Sequence, residues 1–306
     1  MSLFIQQEDN MKKLLVLTLS LFVILTLAAC SGEEKEKSSE EATSNEVLKI
    51  GAIPDQNASD LNRSMDKIAE YLEEKTGLEV EYVPSVDYAA LVTAFERGEI
   101  HLAWFGGLTG VQARSLVEGS EAIAQRPRDE EFHSVFIAQK DLQLKGLEDL
   151  KGLSFTFGSE SSTSGHLMPR YYLMESGINP ETDLAGEPNY SGSHDKTYKL
   201  VESGTFQAGA LNEAVWEGAV EEGSVDLNKV DVFYTTPAYY DYNWTINNVE
   251  GVFENGTKEK VKEALLSMNE DQQDMLDIFE TDKFIETNNE NYAAIEKVAK
   301  ELGIIK

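Results

Sequence analysis

The 306-residue chain holds a single cysteine, Cys30. Without a second one, an internal disulfide and a multi-thiolate metal site are both excluded. Histidine is scarce as well: His101, His133, His166 and His194 show no ligand spacing, so no metal and no cofactor is expected. Positive charge is the third shortage, with 26 Lys and Arg against 55 Asp and Glu and a formal net charge of −29. Nucleic acid and anionic lipid headgroups are therefore excluded as partners. Glu8 and Asp9 cancel Lys12 and Lys13, so all of that charge lies beyond Cys30. No Gly-x-Ser-x-Gly nucleophile elbow and no internal repeat is present.

Long apolar runs are also rare, and the one at the start is informative. Met11-Lys12-Lys13 opens a basic segment, Leu14 to Leu27 is apolar, and Leu27-Ala28-Ala29-Cys30 closes it. The run is short for a bilayer span, which needs roughly 20 residues, and it ends in small residues as a secretory signal does. The closing tetrapeptide resembles a bacterial lipobox, which implies that Cys30 is lipidated and becomes the first residue of the mature protein. Residues 1–30 are thus read as signal peptide, with Met1 to Asn10 an upstream mis-start and Met11 the true one. Residues 31–46 are rich in Ser, Glu and Lys and carry too little apolar surface to order themselves, so a flexible tether is expected. Attachment to the extracytoplasmic face of a Gram-positive cell membrane follows.

What the remainder has in abundance is hydroxyl groups at one turn. Leu153 to Phe157 reads as a buried strand, followed by Ser161-Ser162-Thr163-Ser164-Gly165 and then a helix to about Gly177. A helix start leaves four N–H groups unpaired and carries partial positive charge. Four hydroxyls and a glycine there can hold a small tetrahedral anion without a cation. An ordinary N-cap, which needs one Ser or Thr, is the competing reading.

From Val47 the chain alternates strands and helices, the pattern of an α/β layer fold. The roughly 260 residues exceed a comfortable single core. Two lobes are expected, 47–135 with 242–306 and 136–241, joined by two hinge crossovers at Ser134 to Gln139 and Tyr242 to Ile246. Arg126 and Arg128, next to Asp129-Glu130-Glu131, read as a solvated charge cluster.

Several loop segments then fall at strand C-termini, where open α/β sheets bind ligands. They are Asp55-Gln-Asn-Ala-Ser59, Asp87-Tyr88-Ala-Ala-Leu, Leu102-Ala-Trp-Phe-Gly106, Ser162-Thr-Ser-Gly165, Ser191-Gly-Ser-His-Asp195 and Ala208-Gly-Ala-Leu-Asn212. The last five of these, in this order, resemble the phosphate/phosphite/phosphonate-binding (PhnD-like) substrate-binding components of ABC importers, from Leu48 to about Leu302. The resemblance implies a two-lobed, type II periplasmic-binding-protein fold and an ABC permease as partner. It further implies a monomer that captures a small oxyanion through Tyr88, Ser162, Thr163, Ser164 and His194. Phe105-Gly-Gly-Leu stands where such proteins often carry a tyrosine. Thr235 to Trp244 is similar to a subgroup associated with selenium oxyanions.

Each position has a purely structural alternative. Tyr88 is either a ligand contact or a core residue at a helix start, and His194 either a ligand contact or a cap beside Ser193. Tyr239, Tyr240, Tyr242 and Trp244 either line the cleft or pack. Asn212 is a further candidate, and His166 is expected to orient the turn. Asp241 is the candidate acceptor: a buried carboxylate facing the anion favours protonated phosphorus ligands, because an unmatched acceptor costs about 1–3 kcal/mol with sulfate or selenate. A selenate-binding protein and a sensor module for a membrane receptor are the alternatives for function. A hydrolase built on Ser164, His194 and Asp195 is disfavoured, since adjacent His and Asp cannot readily orient each other.

Overall fold

The computed structural model describes residues 46–306. The expected signal segment, Cys30 and nearly all of the tether lie outside the described residues. The strands fall into two sheets. The first contains β1 (Leu48–Ala52), β2 (Val80–Tyr82), β3 (Leu102–Phe105), β4 (Glu121–Gln125), β10 (Asn243–Ile246) and β11 (Ile285–Glu286). Its order is β11-β4-β10-β3-β1-β2, with β1 parallel to β2 and β3, and β10 antiparallel to β3 and β4. The second contains β5 (Ser134–Gln139), β6 (Phe155–Phe157), β7 (Asn189–Tyr190), β8 (Ala208–Asn212) and β9 (Val230–Thr235), ordered β7-β6-β8-β5-β9.

The strands alternate with helices α1 (Ala58–Thr76), α2 (Tyr88–Glu96), α3 (Gly107–Leu116), α4 (Met168–Glu175), α5 (His194–Glu202) and α6 (Glu213–Glu221). The chain ends on α7 (Thr257–Leu266), α8 (Gln273–Leu276) and α9 (Ala293–Glu301). Helix α1 shows why the boundaries are legible. Asn57 caps its start, accepting from the Ser59 and Asp60 amides, and Gly77 ends it at φ 73°. Only glycine takes that left-handed conformation without steric cost. Leu61, Met65, Ile68 and Leu72 recur on one face and are buried against the first sheet.

Strand β5 shows the other periodicity. Phe136 and Ala138 enter one apolar cluster with Phe155, Phe157 and Leu173, whereas Val135 and Ile137 enter another with Tyr198, Val201 and Trp216. Successive side chains of a strand point to opposite faces, so a strand covered on both sides must be apolar throughout. The first sheet carries one larger cluster, with Trp104, Trp244, Phe279 and Phe284 packed ring against ring at 5.0–6.1 Å. Burying a large apolar side chain of this kind stabilises by about 1.5–3 kcal/mol.

The chain passes between the sheets twice, from β4 to β5 and from β9 to β10. The expected crossover segments are themselves strands, and the connections are 126–133 and 236–242. The two connections touch: the Phe132 and Tyr239 backbones pair antiparallel, and the Asp241 amide donates to the Asp129 carbonyl at 3.2 Å.

The 126–131 cluster is not solvated. Arg126 and Asp129 are 4% and 0% exposed and joined by Nε–Oδ2 at 2.8 Å and Nη2–Oδ1 at 2.7 Å. The remaining Arg126 nitrogen, Nη1, donates to the Phe279 carbonyl at 2.8 Å. Burial opposes the guanidinium charge, but Asp129 outweighs it and holds the pKa above the ordinary value. Arg128 is half-buried, bridging Glu217 on α6 at 2.6 Å and Glu280 at 3.2 Å. A run of charges looks solvated in one dimension; here the chain turns its first pair inward beneath aromatic rings.

Candidate functional site

Four chain segments converge between the two sheets. The first is the hydroxyl-rich turn after β6. Ser162 caps it, its Oγ accepting the Gly165 amide at 3.0 Å. Thr163–Leu167 then forms a widened π-helical turn before α4 begins at Met168. Gly165 is needed for closeness: a Cβ there would meet Gly158 Cα, His194 Cε1 and Ser162 Oγ, each at 3.0 Å. Ser162, Thr163 and Ser164 are 2%, 1% and 1% exposed.

The second segment is the start of α3, where Gly106 offers no capping side chain of its own. Its first amides are capped from elsewhere: Gly107 N–H donates to Asp241 Oδ1 at 2.8 Å, and Leu108 N–H donates to Thr163 Oγ1 at 2.9 Å. A Cβ on Gly106 would lie 3.1 Å from Thr163 Oγ1 and 3.3 Å from Asp241 Oδ1. The absence of a side chain here therefore lets the helix start reach both partners, while Phe105 stays in the core against Phe95.

The third is the start of α5. His194 is 0% exposed; its Nδ1 accepts the Asn212 amide at 3.2 Å and its Nε2 lies 3.3 Å from the Tyr242 hydroxyl. Burial pushes its pKa down to about 4 against the pull of Asp195, so the ring is neutral. With Nδ1 accepting, the proton is assigned to Nε2. The backbone N–H of His194 donates to the Asp55 carbonyl at 3.0 Å, tying α5 to the loop after β1.

Tyr88 supplies the fourth side, as the first residue of α2 behind the Asp87 cap, which accepts the Ala90 amide at 2.7 Å. Tyr88 Oη, Ser164 Oγ and Asp241 Oδ2 are buried without a hydrogen-bond partner in the protein. Burial, then the charges of Asp55 and Asp241, raise the Tyr88 hydroxyl well above its ordinary value. Burial also pushes Asp241 up to about 7, against the Gly107 amide and the Thr163 hydroxyl. Asp55, 3% exposed, is pushed up to about 6 by burial, against Tyr242 and Arg126.

Tyr88, Ser162, Thr163, Ser164, His194, Asp241 and Tyr242 are thus brought together. Asn212 adjoins them, but its groups are engaged: Oδ1 caps α6 by accepting the Val215 amide at 2.7 Å, and Nδ2 donates to Tyr242 Oη at 2.9 Å. Tyr240 is not brought in; its partly exposed ring packs edge-on against Tyr292 at 6.0 Å. Tyr239 bonds Ser134 Oγ at 2.6 Å and Trp244 is core. His166 does orient its turn, with Nδ1 2.6 Å from the Glu160 carbonyl and Nε2 accepting from Arg170. Asp55 was legible only as part of a loop, since nothing local marks a buried carboxylate.

No relay for nucleophilic chemistry links the hydrolase candidates. Asp195 takes the Ser193 hydroxyl at 2.5 Å, and both His194 nitrogens face Asn212 and Tyr242. The site instead offers hydroxyl and imidazole donors beside two carboxylates, which suits reversible binding of a small, protonatable oxyanion.

Comparison with known proteins agrees. The profile of the family described as ABC transporter, phosphonate, periplasmic substrate-binding protein matches residues 50–292. The chain is 41% identical over 270 residues to the probable ABC transporter phosphite binding protein PhnD1 of Prochlorococcus marinus, covering 85% of this chain and 91% of the relative. It is 30% identical over 221 residues to the phosphate-import protein PhnD of Mycolicibacterium smegmatis, covering 69% of each. The solved structure of P. marinus PhnD1 in complex with methylphosphonate superposes with a TM-score of 0.82 at 40% identity, covering 85% of this chain and all of that one. The fold is that of a type II periplasmic binding protein. With a profile match across nearly all the described residues and a relative of closely similar length, the chain belongs to the periplasmic substrate-binding proteins of phosphonate ABC transporters, the components that capture solute for an ABC importer.

Proposed function

We propose that the site binds a small phosphorus oxyanion, of the phosphite or methylphosphonate type, between Ser162, Thr163, Ser164, Tyr88 and His194, with Asp241 as acceptor. The observation that carries this reading is the convergence of Tyr88 Oη, Ser164 Oγ and Asp241 Oδ2, three buried polar atoms from three segments without protein partners. Leaving such a group unpaired costs about 1–3 kcal/mol, and one tetrahedral anion bearing a proton can satisfy all three. Donors come from hydroxyls, the neutral His194 and backbone dipoles, so the anion needs no cation in a chain of net charge −29. Asp241 weighs against selenate, which brings no proton to it near neutrality.

The lobes are 46–125 with 243–306 and 134–235, and they close about 126–133 and 236–242 as the anion bridges them. Contacts from Leu108 to Thr163 and from His194 to Asp55 support closure, since each joins the two sheets' segments. Lipidated Cys30 tethers the monomer outside the membrane, and the closed form delivers its anion to the permease. Calorimetric titration with phosphite, methylphosphonate, phosphate, sulfate and selenate tests the reading. Binding of at least one phosphorus anion is expected, with affinity lowered about tenfold or more by Ser164→Ala and by His194→Ala. Parent-like affinity in both variants would refute the placement, and binding to none of the anions would refute the class.

A further inference from the structure

The Tyr88 hydroxyl has two acidic neighbours, and binding one phosphorus anion between Ser164 and Asp241 accounts for only one of them. Asp55 follows β1, is 3% exposed, and fixes α5 by accepting the His194 amide with its own carbonyl. Its carboxyl lies near the Tyr242 hydroxyl, and its charge, like that of Asp241, bears on both Tyr88 and Tyr242. Asn212 Nδ2 donates to the Tyr242 oxygen at 2.9 Å, and the protonated His194 Nε2, 3.3 Å away, cannot accept from it. That leaves the Tyr242 O–H free to be given to Asp55. The residues around Asp55 are thus Tyr88, Tyr242, Arg126 from the first crossover, Asp195 from α5, and Glu280. Arg126 is the sole cation among them and is already committed to Asp129 and the Phe279 carbonyl.

Two carboxylates beside one buried anion repel it, and each other, unless protons accompany binding. We propose that Asp55 is a second selectivity carboxylate, which with Asp241 makes the site accept an oxyanion only together with a proton. Protonatable phosphorus anions meet that condition near neutrality; sulfate and selenate, which hold no proton there, do not. Asp55 thereby acts through the charge and proton count of the chamber, and this role rests on the phosphorus-oxyanion reading given above.

The test is calorimetric titration of the full chain, Asp55→Asn and Asp55→Ser at pH 7, with phosphite, methylphosphonate and sulfate. Each titration is run in two buffers of different ionisation enthalpy, so that proton uptake is read directly. The unaltered chain should take up protons with phosphite and bind sulfate far more weakly. Removing the Asp55 charge should reduce proton uptake and narrow the phosphite-to-sulfate affinity ratio by about 10- to 100-fold. If either folded variant keeps both the ratio and the proton uptake, the role of Asp55 is refuted. If the unaltered chain binds neither phosphorus anion, the underlying ligand reading fails instead, so the two failures are distinguishable.

Discussion

Asp129→Asn perturbs the most deeply buried ion pair of the crossover, and its cost can be worked from the contacts. Asp129 accepts three hydrogen bonds from Arg126, from the backbone N at 3.0 Å, Nε at 2.8 Å and Nη2 at 2.7 Å. It also accepts the Tyr242 amide at 3.3 Å. The guanidinium lies 5.6, 5.4 and 4.8 Å from the ring centres of Trp104, Phe132 and Tyr242, so water cannot replace the lost charge. Breaking a buried pair on one side costs about 3–5 kcal/mol, because the remaining charge stays desolvated. For a domain of this size that is a fall in Tm of very roughly 6–20 °C. Urea unfolding followed by tryptophan fluorescence is the assay, since Trp104 reports on the pair itself. Removing both charges with Arg126→Met and Asp129→Leu should cost less than the two single changes summed. A loss below about 1 kcal/mol for Asp129→Asn, the worth of an exposed pair, would refute the reasoning. So would strict additivity in the double replacement.

Two further outcomes follow from the site. Asp241 carries a folded pKa raised from 3.8 to about 7, so its contribution to stability is present below its unfolded pKa and lost as pH rises through 7. Thermal unfolding of the unliganded protein between pH 4 and 8 should therefore show a decline with rising pH that Asp241→Asn flattens; an identical profile in the variant would contradict the assigned shift. The buried His194, with its pKa lowered to about 4, acts with the opposite sign below pH 6.5, and comparing the two proteins cancels that background. Gly165→Ala places a Cβ at 3.0 Å from three atoms, including His194 Cε1 and Ser162 Oγ. Overpacking of this kind costs about 1–3 kcal/mol, and displacing both site residues should weaken anion binding about tenfold or more in the same titration. Unchanged affinity would show that the turn tolerates a wider spacing from α5.

Much of the α/β alternation could be read without coordinates because its signals are local. Asn57 and Gly77 bracket α1, and the near-continuous apolar run of β1 announces a buried strand, whereas β5 reads in sequence as a crossover. The Ser162 to Gly165 turn and His194 were legible for the same reason, each at a helix start beside small residues. Helix α3 was not, because the capping groups for Gly107 and Leu108 sit on Asp241 and Thr163, 134 and 55 residues away. Asp55 and Arg126 were missed or misread because burial of a charge depends on what folds over it.

Residue order alone therefore determined most of the strands, the locally capped helix starts and the supply of hydroxyl donors, all products of neighbouring side chains and backbone sterics. Tertiary structure decided which donors come together in one buried cluster, that Tyr240 lies outside it, and that the carboxylates of Asp241 and Asp55 are buried beside it. Hydrogen-bond reach and desolvation are properties of positions in space, and segments more than a hundred residues apart acquire them only when the chain closes on itself.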